Sequence, residues 1–429
     1  MKHQLLILFC VLLISFVRAA ESQRPNIILI IADDHAFTSY GFMGHEMVKT
    51  PHLDRIASEG LLYTRGYSMP VCSPSLACLL TGLYPHQNGI TGNDLASTAP
   101  QAAAAPENRS PLTEHLLANP LILPRTLSES GYLTFQTGKL WNASYKQMGF
   151  THGMTSTPGR HGGEGLKIGR EGMEPIYQFI ETARAADKPF FIWHAPFMPH
   201  LPHNPPQRIL QKYLGKGPTP HAEKYFAMVE WFDETCGELD AWLTKNRLRE
   251  NTVILYIADN GWNEALGGPG ERAKLTPYEM GIRTPVFVRW PGKVEPRRDE
   301  ETLAHIVDFV PTILKLAGLD VPAALPGLDL LDREAMTKRK SVFVQAYLHD
   351  IMDLDHPVKS LTSRVVIDGW SKLILPGPQP VRSKRRMGPA KIQLFDLKND
   401  PLEKHNLAQQ RPDEVARLKS LQDAFWKIE

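Results

Sequence analysis

The sequence predicts an α/β protein with a mainly parallel sheet, followed by a smaller antiparallel sheet and a closing helix. Short apolar runs that end abruptly in polar residues are the first reason. Asn26 to Ala32 (NIILIIA) meets Asp33 and Asp34, Phe190 to Ala195 runs toward His200, and Val253 to Ala258 (VILYIA) meets Asp259 and Asn260. Runs of this length without polar alternation, separated by helical stretches, suit strands buried on both faces of a parallel sheet. The second reason lies near the end of the chain, where Val365 to Leu375 and Ile392 to Leu397 alternate in polarity like strands of an antiparallel sheet.

Lys2 and His3 precede an apolar run from Leu5 to Val17, with Ala19 and Ala20 behind it, which predicts an export signal over residues 1–19. The run is too short for a membrane span, so the expected product is secreted or periplasmic, without stable membrane insertion. Pro51 to Ser58 reads as a helix stopped by Gly60, and Ala222 to Asn246 as a longer helix of mixed polarity. Pro285 to Trp290 adds a β-rich run. Asn93 to Pro120, rich in Ala, Pro, Asn and Ser, reads as a surface loop, and Thr155 to Gly172 as a glycine-dense loop carrying Arg160 and His161. Pro412 suits the first turn of a final helix to Ile428. A boundary falls near Pro322 to Arg339, giving a large domain over 20–330 and a smaller one over 331–429.

The chain has 429 residues, of which 22% are charged, with a formal net charge of +2. That balance creates no global field for nucleic acid but allows a local basic pocket for one anionic group. Removal of the signal leaves Cys72, Cys78 and Cys236. Three cysteines cannot all pair within one exported chain, so one stays free or is chemically converted.

Ligands of parallel sheets gather beyond the carboxyl ends of the strands. Asp33 and Asp34 lie at one such end, and Asp259 and Asn260 at another. Together they offer the set of oxygen donors that a hard divalent cation needs. In Cys72-Ser73-Pro74-Ser75-Leu76-Ala77-Cys78-Leu79-Leu80-Thr81-Gly82, Pro74 favours the first turn of a helix. Cys72 would stand just before that helix, where backbone N–H groups and the dipole favour negative charge.

Cys72, Pro74, Thr81 and Gly82 also fall at the spacing of the sulfatase signature, Cys/Ser-x-Pro-x-Arg followed by Thr-Gly. The chain resembles that family in further motifs that keep the family's order: Arg24-Pro25-Asn26 with Ala32-Asp33-Asp34, Thr50 to Ala57, Gly138-Lys139, Pro199 to His203, Asp259-Asn260-Gly261, Lys274 to Glu279, Gly281 to Pro285, and Leu394 to Leu407. The resemblance implies an alkaline-phosphatase-like fold, a calcium ion, and oxidation of Cys72 to formylglycine by a formylglycine-generating enzyme. It implies that Asp33, Asp34, Asp259, Asn260 and the converted Cys72 hold the metal, while Lys139, His200 and Lys274 surround the sulfate. The implied reaction is hydrolysis of sulfate esters, on carbohydrates in the first instance. The alternatives are a non-catalytic protein that binds sulfated glycans, or a phosphodiester or phosphonate hydrolase.

Two positions depart from the family pattern. Leu76 occupies the place of the signature arginine, and Asn142 stands where a histidine commonly follows the lysine of Gly-Lys. His35, His152 and His161 are candidates to replace that histidine, with His161 preferred. His203 and His305 are expected to be structural or substrate-facing, and Trp193, Phe197 and Trp231 to pack in the core. Arg382 to Arg386 reads as a solvated loop, or else a contact for an anionic glycan. Asn108 and Asn142 fit the glycosylation pattern.

Overall fold

The computed structural model describes residues 24–102, 110–157, 161–266, 271–378 and 388–428. The expected export signal with Cys10, and Asn108, Arg160 and the Arg382–Arg386 cluster, lie outside the described residues. No helix among the described residues is long and apolar enough to cross a membrane.

The strands, in chain order, are β1 (Asn26–Ala32), β2 (Leu61–Tyr67), β3 (Asp94–Leu95), β4 (Leu133–Gly138), β5 (His152–Gly153), β6 (Phe190–Ala195), β7 (Thr252–Ala258), β8 (Arg283–Arg289), β9 (Arg297–Asp299), β10 (Ala304–His305), β11 (Ser341–Tyr347), β12 (Asp350–Ile351), β13 (Leu361–Asp368), β14 (Ser371–Pro376) and β15 (Gln393–Asp396). The main sheet has the order β10-β2-β8-β7-β1-β6-β4-β5, with β9 beside β2. From β7 to β5 every neighbour is parallel, as the apolar runs predict. β8 is antiparallel to both β7 and β2. Its approach explains the reversal. Within 259–282 only the single turn Glu279–Ile282 is helical among the described residues, so no crossover helix returns the chain for a parallel strand. That connection stays over the strand ends and carries Lys274.

β1 lies at the centre, in register with Thr252–Ala258 on one side and Phe191–His194 on the other. Its residues are buried, and they alternate between two cores: Ile27, Leu29 and Ile31 face one, Ile28, Ile30 and Ala32 the other. The first core is closed by the helices Cys72–Thr81 and Phe309–Leu316, the second by Pro51–Ser58, Glu174–Ala185 and Pro220–Lys245. Two covered faces are what a strand with no polar alternation requires.

Two expectations change. The helix Pro51–Ser58 ends where predicted, and Gly60 just past it does so without a left-handed φ. A Cβ there would stand 2.4 Å from the carbonyl oxygen of Val288, so the glycine admits β8 at close range. The Asn93–Pro120 segment is more than a loop. It holds β3 and the helix Ser110–Leu117, whose Leu112 and Leu116 form an apolar stripe buried in the first core. Cys72 is the first residue of its helix, with Val71 at the N-cap position, rather than lying before it.

From Ser341 onward the chain forms the antiparallel sheet β11-β13-β14-β15, covered by the helix Pro412–Phe425 through Leu418. Val365 to Leu375 is two strands, turned at Gly369 with φ 54°. This layer meets the main sheet through a buried ion cluster. Lys372 Nζ stands 2.9 Å from Glu279 Oε1 and 2.8 Å from Glu403 Oε1, and Glu403 Oε2 accepts from the Glu279 N–H at 2.6 Å. Burial pushes Glu403 up to about 7 against the pull of Lys372.

Lys372→Met leaves Glu403 buried without a cation, and Glu279 with only Arg283 Nη1 at 3.8 Å, and is expected to cost about 3–5 kcal/mol. The loss shrinks below about pH 7, where Glu403 takes up a proton. Guanidinium unfolding midpoints compared at pH 5.5 and pH 8 check both the size and the sign.

Candidate active site

Backbone hydrogen bonds tie together the carboxyl ends of β1, β6 and β7. Asp33 N–H donates to Met198 O at 3.0 Å, Asp259 N–H to Ala32 O at 2.9 Å, and His35 N–H to Asn260 O at 3.2 Å. Asp34 turns through φ 62°, which aims its N–H at Asp259 Oδ1 at 3.1 Å. Asp and Asn tolerate this left-handed geometry better than other side-chain-bearing residues.

The turn brings four side chains together. Donor atoms of Asp33, Asp34, Cys72 and Asp259 all lie within 4.8 Å of one another, and all four residues are buried. Asn260 joins them, its Nδ2 donating to Asp34 Oδ1 at 2.7 Å and its Oδ1 lying 3.3 Å from Cys72 Sγ. The second carboxylate oxygens of Asp33, Asp34 and Asp259 are buried without a hydrogen bond among the described residues. Orphaned carboxylate oxygens in a dry site are costly unless a cation satisfies them. The donor set, mostly hard oxygen, fits a divalent cation.

Cys72 reaches the cluster because its helix starts there. Ser75 Oγ donates to Met69 O at 3.2 Å and to Asp259 O at 2.5 Å, pinning the first turn against the end of β7. At the other end Gly82, with φ 73°, closes the helix through its N–H to Cys78 O at 2.7 Å. Leu76, one turn beyond Cys72, is 1% exposed and part of the first core.

Two lysines and a histidine complete the pocket. Lys139 Nζ is 2.7 Å from Asp33 Oδ1 and 3.6 Å from Asp259 Oδ2. Lys274 Nζ pairs with Asp34 Oδ1 and lies 3.2 Å from Cys72 Sγ. His200 Nε2 is 3.4 Å from Asp34 Oδ2. Arg170 holds the His200 loop through the carbonyls of Phe197 and His200.

Charge is divided unevenly in this space. Burial raises Asp33, but Lys139, with His200 and Lys274, holds the carboxyl far below its usual range. Burial together with the charge of Asp33 pushes Asp259 up to about 8. Burial and the Asp259 charge drive the Cys72 thiol well above its ordinary value. Burial opposes the charge of both lysines, yet Asp33 holds Lys139, and Asp34 holds Lys274, well above the usual lysine range. His200 is lowered by burial, a shift that Asp33 and Asp34 partly offset.

All eight expected site residues thus converge. The other histidines divide. His35 is buried, its Nε2 at Ser39 O and its ring stacked on Tyr40, and His152 sits on β5 against Phe179. His161 comes to the rim, its ring 5.9 Å from that of His200 and 4.8 Å from that of Trp141. His305 caps the turn Ile306–Asp308 through Val307 N–H, a structural role. Trp193 is core, but Phe197 is not only packing: it stacks on His200 at 4.2 Å and lies 5.5 Å from Lys139 Nζ. Asn142 is 1% exposed and donates to Ser73 Oγ at 3.3 Å, so the folded chain does not present it for glycosylation. Sequence reading missed Arg170, which no periodic pattern marks.

Cys72, Cys78 and Cys236 are all free and buried, and burial raises each thiol. In the unconverted chain a disulfide reagent at pH 8 is therefore expected to titrate none of them within minutes, and all of them after unfolding. A native-state titre of one or more would show a more open site.

The comparisons agree with this geometry. A sulfatase family model matches residues 25–319, and a model of the N-sulphoglucosamine sulphohydrolase C-terminal region matches residues 272–428. N-acetylgalactosamine-6-sulfatase of Canis lupus familiaris is 31% identical over 363 residues, covering 73% of this chain and 66% of its own length. The chain thus spans about two thirds of that relative. An ulvan-active sulfatase of Formosa agariphila is 25% identical over 441 residues, covering 95% of this chain and 80% of its own length. The fold recurs in a structure solved in complex with its substrate D-glucosamine-2-N,6-O-disulfate, at TM-score 0.73 and 20% identity over 94% of this chain and 98% of that one. It recurs also in Ps i-CgsB with k-i-k-neocarrahexaose, at TM-score 0.72 and 21% identity over 95% and 94%. Since the first family model alone covers more than half of its length, the chain belongs to the sulfatase family.

Proposed function

We propose that this protein is an exported sulfuric ester hydrolase acting on sulfated carbohydrates, with calcium at the carboxylate cluster and Cys72 converted to formylglycine. One observation carries the reading: Cys72 Sγ, three aspartates each with an oxygen that lacks a hydrogen bond, and two lysines share one buried pocket. The Sγ atom marks where the hydrate oxygens of formylglycine would stand. The relatives whose names specify sulfated sugars support the carbohydrate class. Residues 20–330 would supply the catalytic part and 331–429 the smaller C-terminal part.

Calcium would be held by Asp33, Asp34, Asp259 and Asn260, and would neutralise charge on the sulfate and the nucleophile. Formylglycine hydrate would supply a nucleophilic oxygen and a second hydroxyl for releasing sulfate. The residues present divide the remaining work. Lys139 and Lys274 stay cationic near neutral pH, so they bind sulfate oxygens and screen the repulsion that shields sulfur from attack. They are too basic to be good proton donors there. His200, at the open side of the pocket and lowered rather than raised, is the group able to exchange a proton with the departing alcohol. Asp259 is placed to accept the proton of the attacking hydroxyl.

His200→Ala is expected to lower kcat about 10²–10⁴-fold on sugar sulfates, whose alkoxide leaves poorly without a proton. On 4-nitrophenyl sulfate the loss should be far smaller, and equal losses on both would remove the acid role.

Asp259, pushed up to about 8, would have to give up its proton to serve as a calcium ligand at neutral pH. Binding is therefore expected to release about one proton at pH 7 and to weaken about tenfold for each pH unit below 8. Calorimetry in buffers of different ionisation enthalpy measures both, and Asp259→Ala should abolish the proton release.

Leu76→Arg is expected to raise formylglycine content when the chain is made with a converting enzyme, because it restores the family's signature charge. The folded product should lose about 3–5 kcal/mol, since residue 76 is buried in the core. Mass spectrometry of the peptide containing Cys72, together with turnover of matched sulfate and phosphate esters, tests the whole proposal. Glycan binding without turnover of either ester would select a binding protein.

A further inference from the structure

The helix that carries Cys72 lacks a cap of its own. Its N-cap residue is Val71, which has no side-chain acceptor, and Pro74 has no N–H to satisfy. The Ser73 N–H is instead met from elsewhere, by Asn93 Oδ1 at 3.1 Å. Asn93 is 4% exposed, and the orientation of its amide is fixed by a second contact, Nδ2 to His349 Nε2 at 3.3 Å. The far side of that imidazole meets Asp350, with Nδ1 2.6 Å from Oδ1. Asp350 accepts from Nδ1–H, which leaves Nε2 as a lone-pair acceptor for the Asn93 amide. An amide that donates to His349 must turn its oxygen toward Ser73.

The backbone holds this chain of contacts in register. Asn93 N–H donates to His349 O at 2.8 Å, β3 pairs in parallel with β12, and Ala96 N–H donates to Ile351 O at 2.9 Å. Gly92 permits the approach, since a Cβ there would stand 2.6 Å from His349 O. Leu348, next in the chain, packs on Val71 and Leu275, which flank Cys72 and Lys274 in sequence.

We propose that His349 and Asp350 are positioning residues: through Asn93 they cap the helix that begins at Cys72, so the C-terminal part of the chain sets where the nucleophile stands. The catalytic half of this statement rests on the hydrolase reading above; the capping half does not.

Hydrogen exchange and kinetics on the full chain, made with a converting enzyme, test the two halves. His349→Leu removes the acceptor for Asn93 and is expected to speed exchange of the Ser73 amide about tenfold, the usual effect of losing a helix cap. His349→Gln keeps an acceptor oxygen and should restore most of the protection. On a sulfate ester, His349→Leu should lower kcat about tenfold with KM little changed, by the same cap loss. Because His349 acts only through Asn93, the double variant His349→Leu/Asn93→Ala should be no slower than Asn93→Ala alone. Unchanged Ser73 exchange in His349→Leu overturns the cap. Multiplying kinetic losses with a raised KM overturn the positioning role in favour of direct substrate contact. If the unaltered protein turns over no sulfate ester, the hydrolase reading fails, and the exchange measurements still decide the cap.

Discussion

Three carboxylates forced into one dry pocket are the constraint from which the rest of this site follows. Asp33, Asp34 and Asp259 cannot all ionise there with Lys139, Lys274 and a histidine that burial holds toward neutrality beside them. The proton retained by Asp259 and the depressed acidity of Asp33 are two sides of that shortage. Like charges at this range repel strongly in low dielectric, and either a proton or a cation must make up the difference. The same shortage keeps both lysines charged, so the pocket is ready for an anion on one side and a cation on the other. Sulfate esters need both kinds of neutralisation.

The sheet converts that chemistry into a fixed geometry. β1, β6 and β7 end together because their registers are locked over whole strands, and the hydrogen bonds just past their ends continue the lock into Asp33, Asp259 and Asn260. Nothing in the carboxylate cluster favours its own assembly, so the two hydrophobic cores must supply the free energy that holds it. Phe197 and Trp141 add apolar walls near Lys139, keeping water from weakening its attraction to Asp33.

Much of this was legible in the chain beforehand. Apolar runs stopping at Asp33 and Asp259 mark strand ends, and Pro74 just after Cys72 marks the first turn of a helix. Both are local signals, set by periodicity and by the conformational tastes of Pro. The hidden parts are long-range. β8 reads as one more buried run, and only its register against β7 and β2 shows that it runs backwards. The helix Ser110–Leu117 hides in a stretch of loop-like composition, where two leucines are its only periodic signal. Asn93 and His349 are separated by 256 positions, and no local pattern in either segment announces that they meet. Leu76 shows a further limit: its departure from the family signature is plain in the sequence, but only the structure shows that an arginine would have to enter the core.

The ammonium of Lys372, clasped between carboxylates from two separate layers, bears on how such proteins diversify. A recombination event that joined the main sheet, as body, to a foreign antiparallel layer, as tail, would strand Glu279 opposite whatever the newcomer carried. Only tails bringing a matching base, or bodies lacking the acid, would yield a viable chimera. Inheritance should therefore favour body and tail travelling as a matched pair, with substrate preference drifting in the loops at the pocket mouth and not by wholesale exchange of halves.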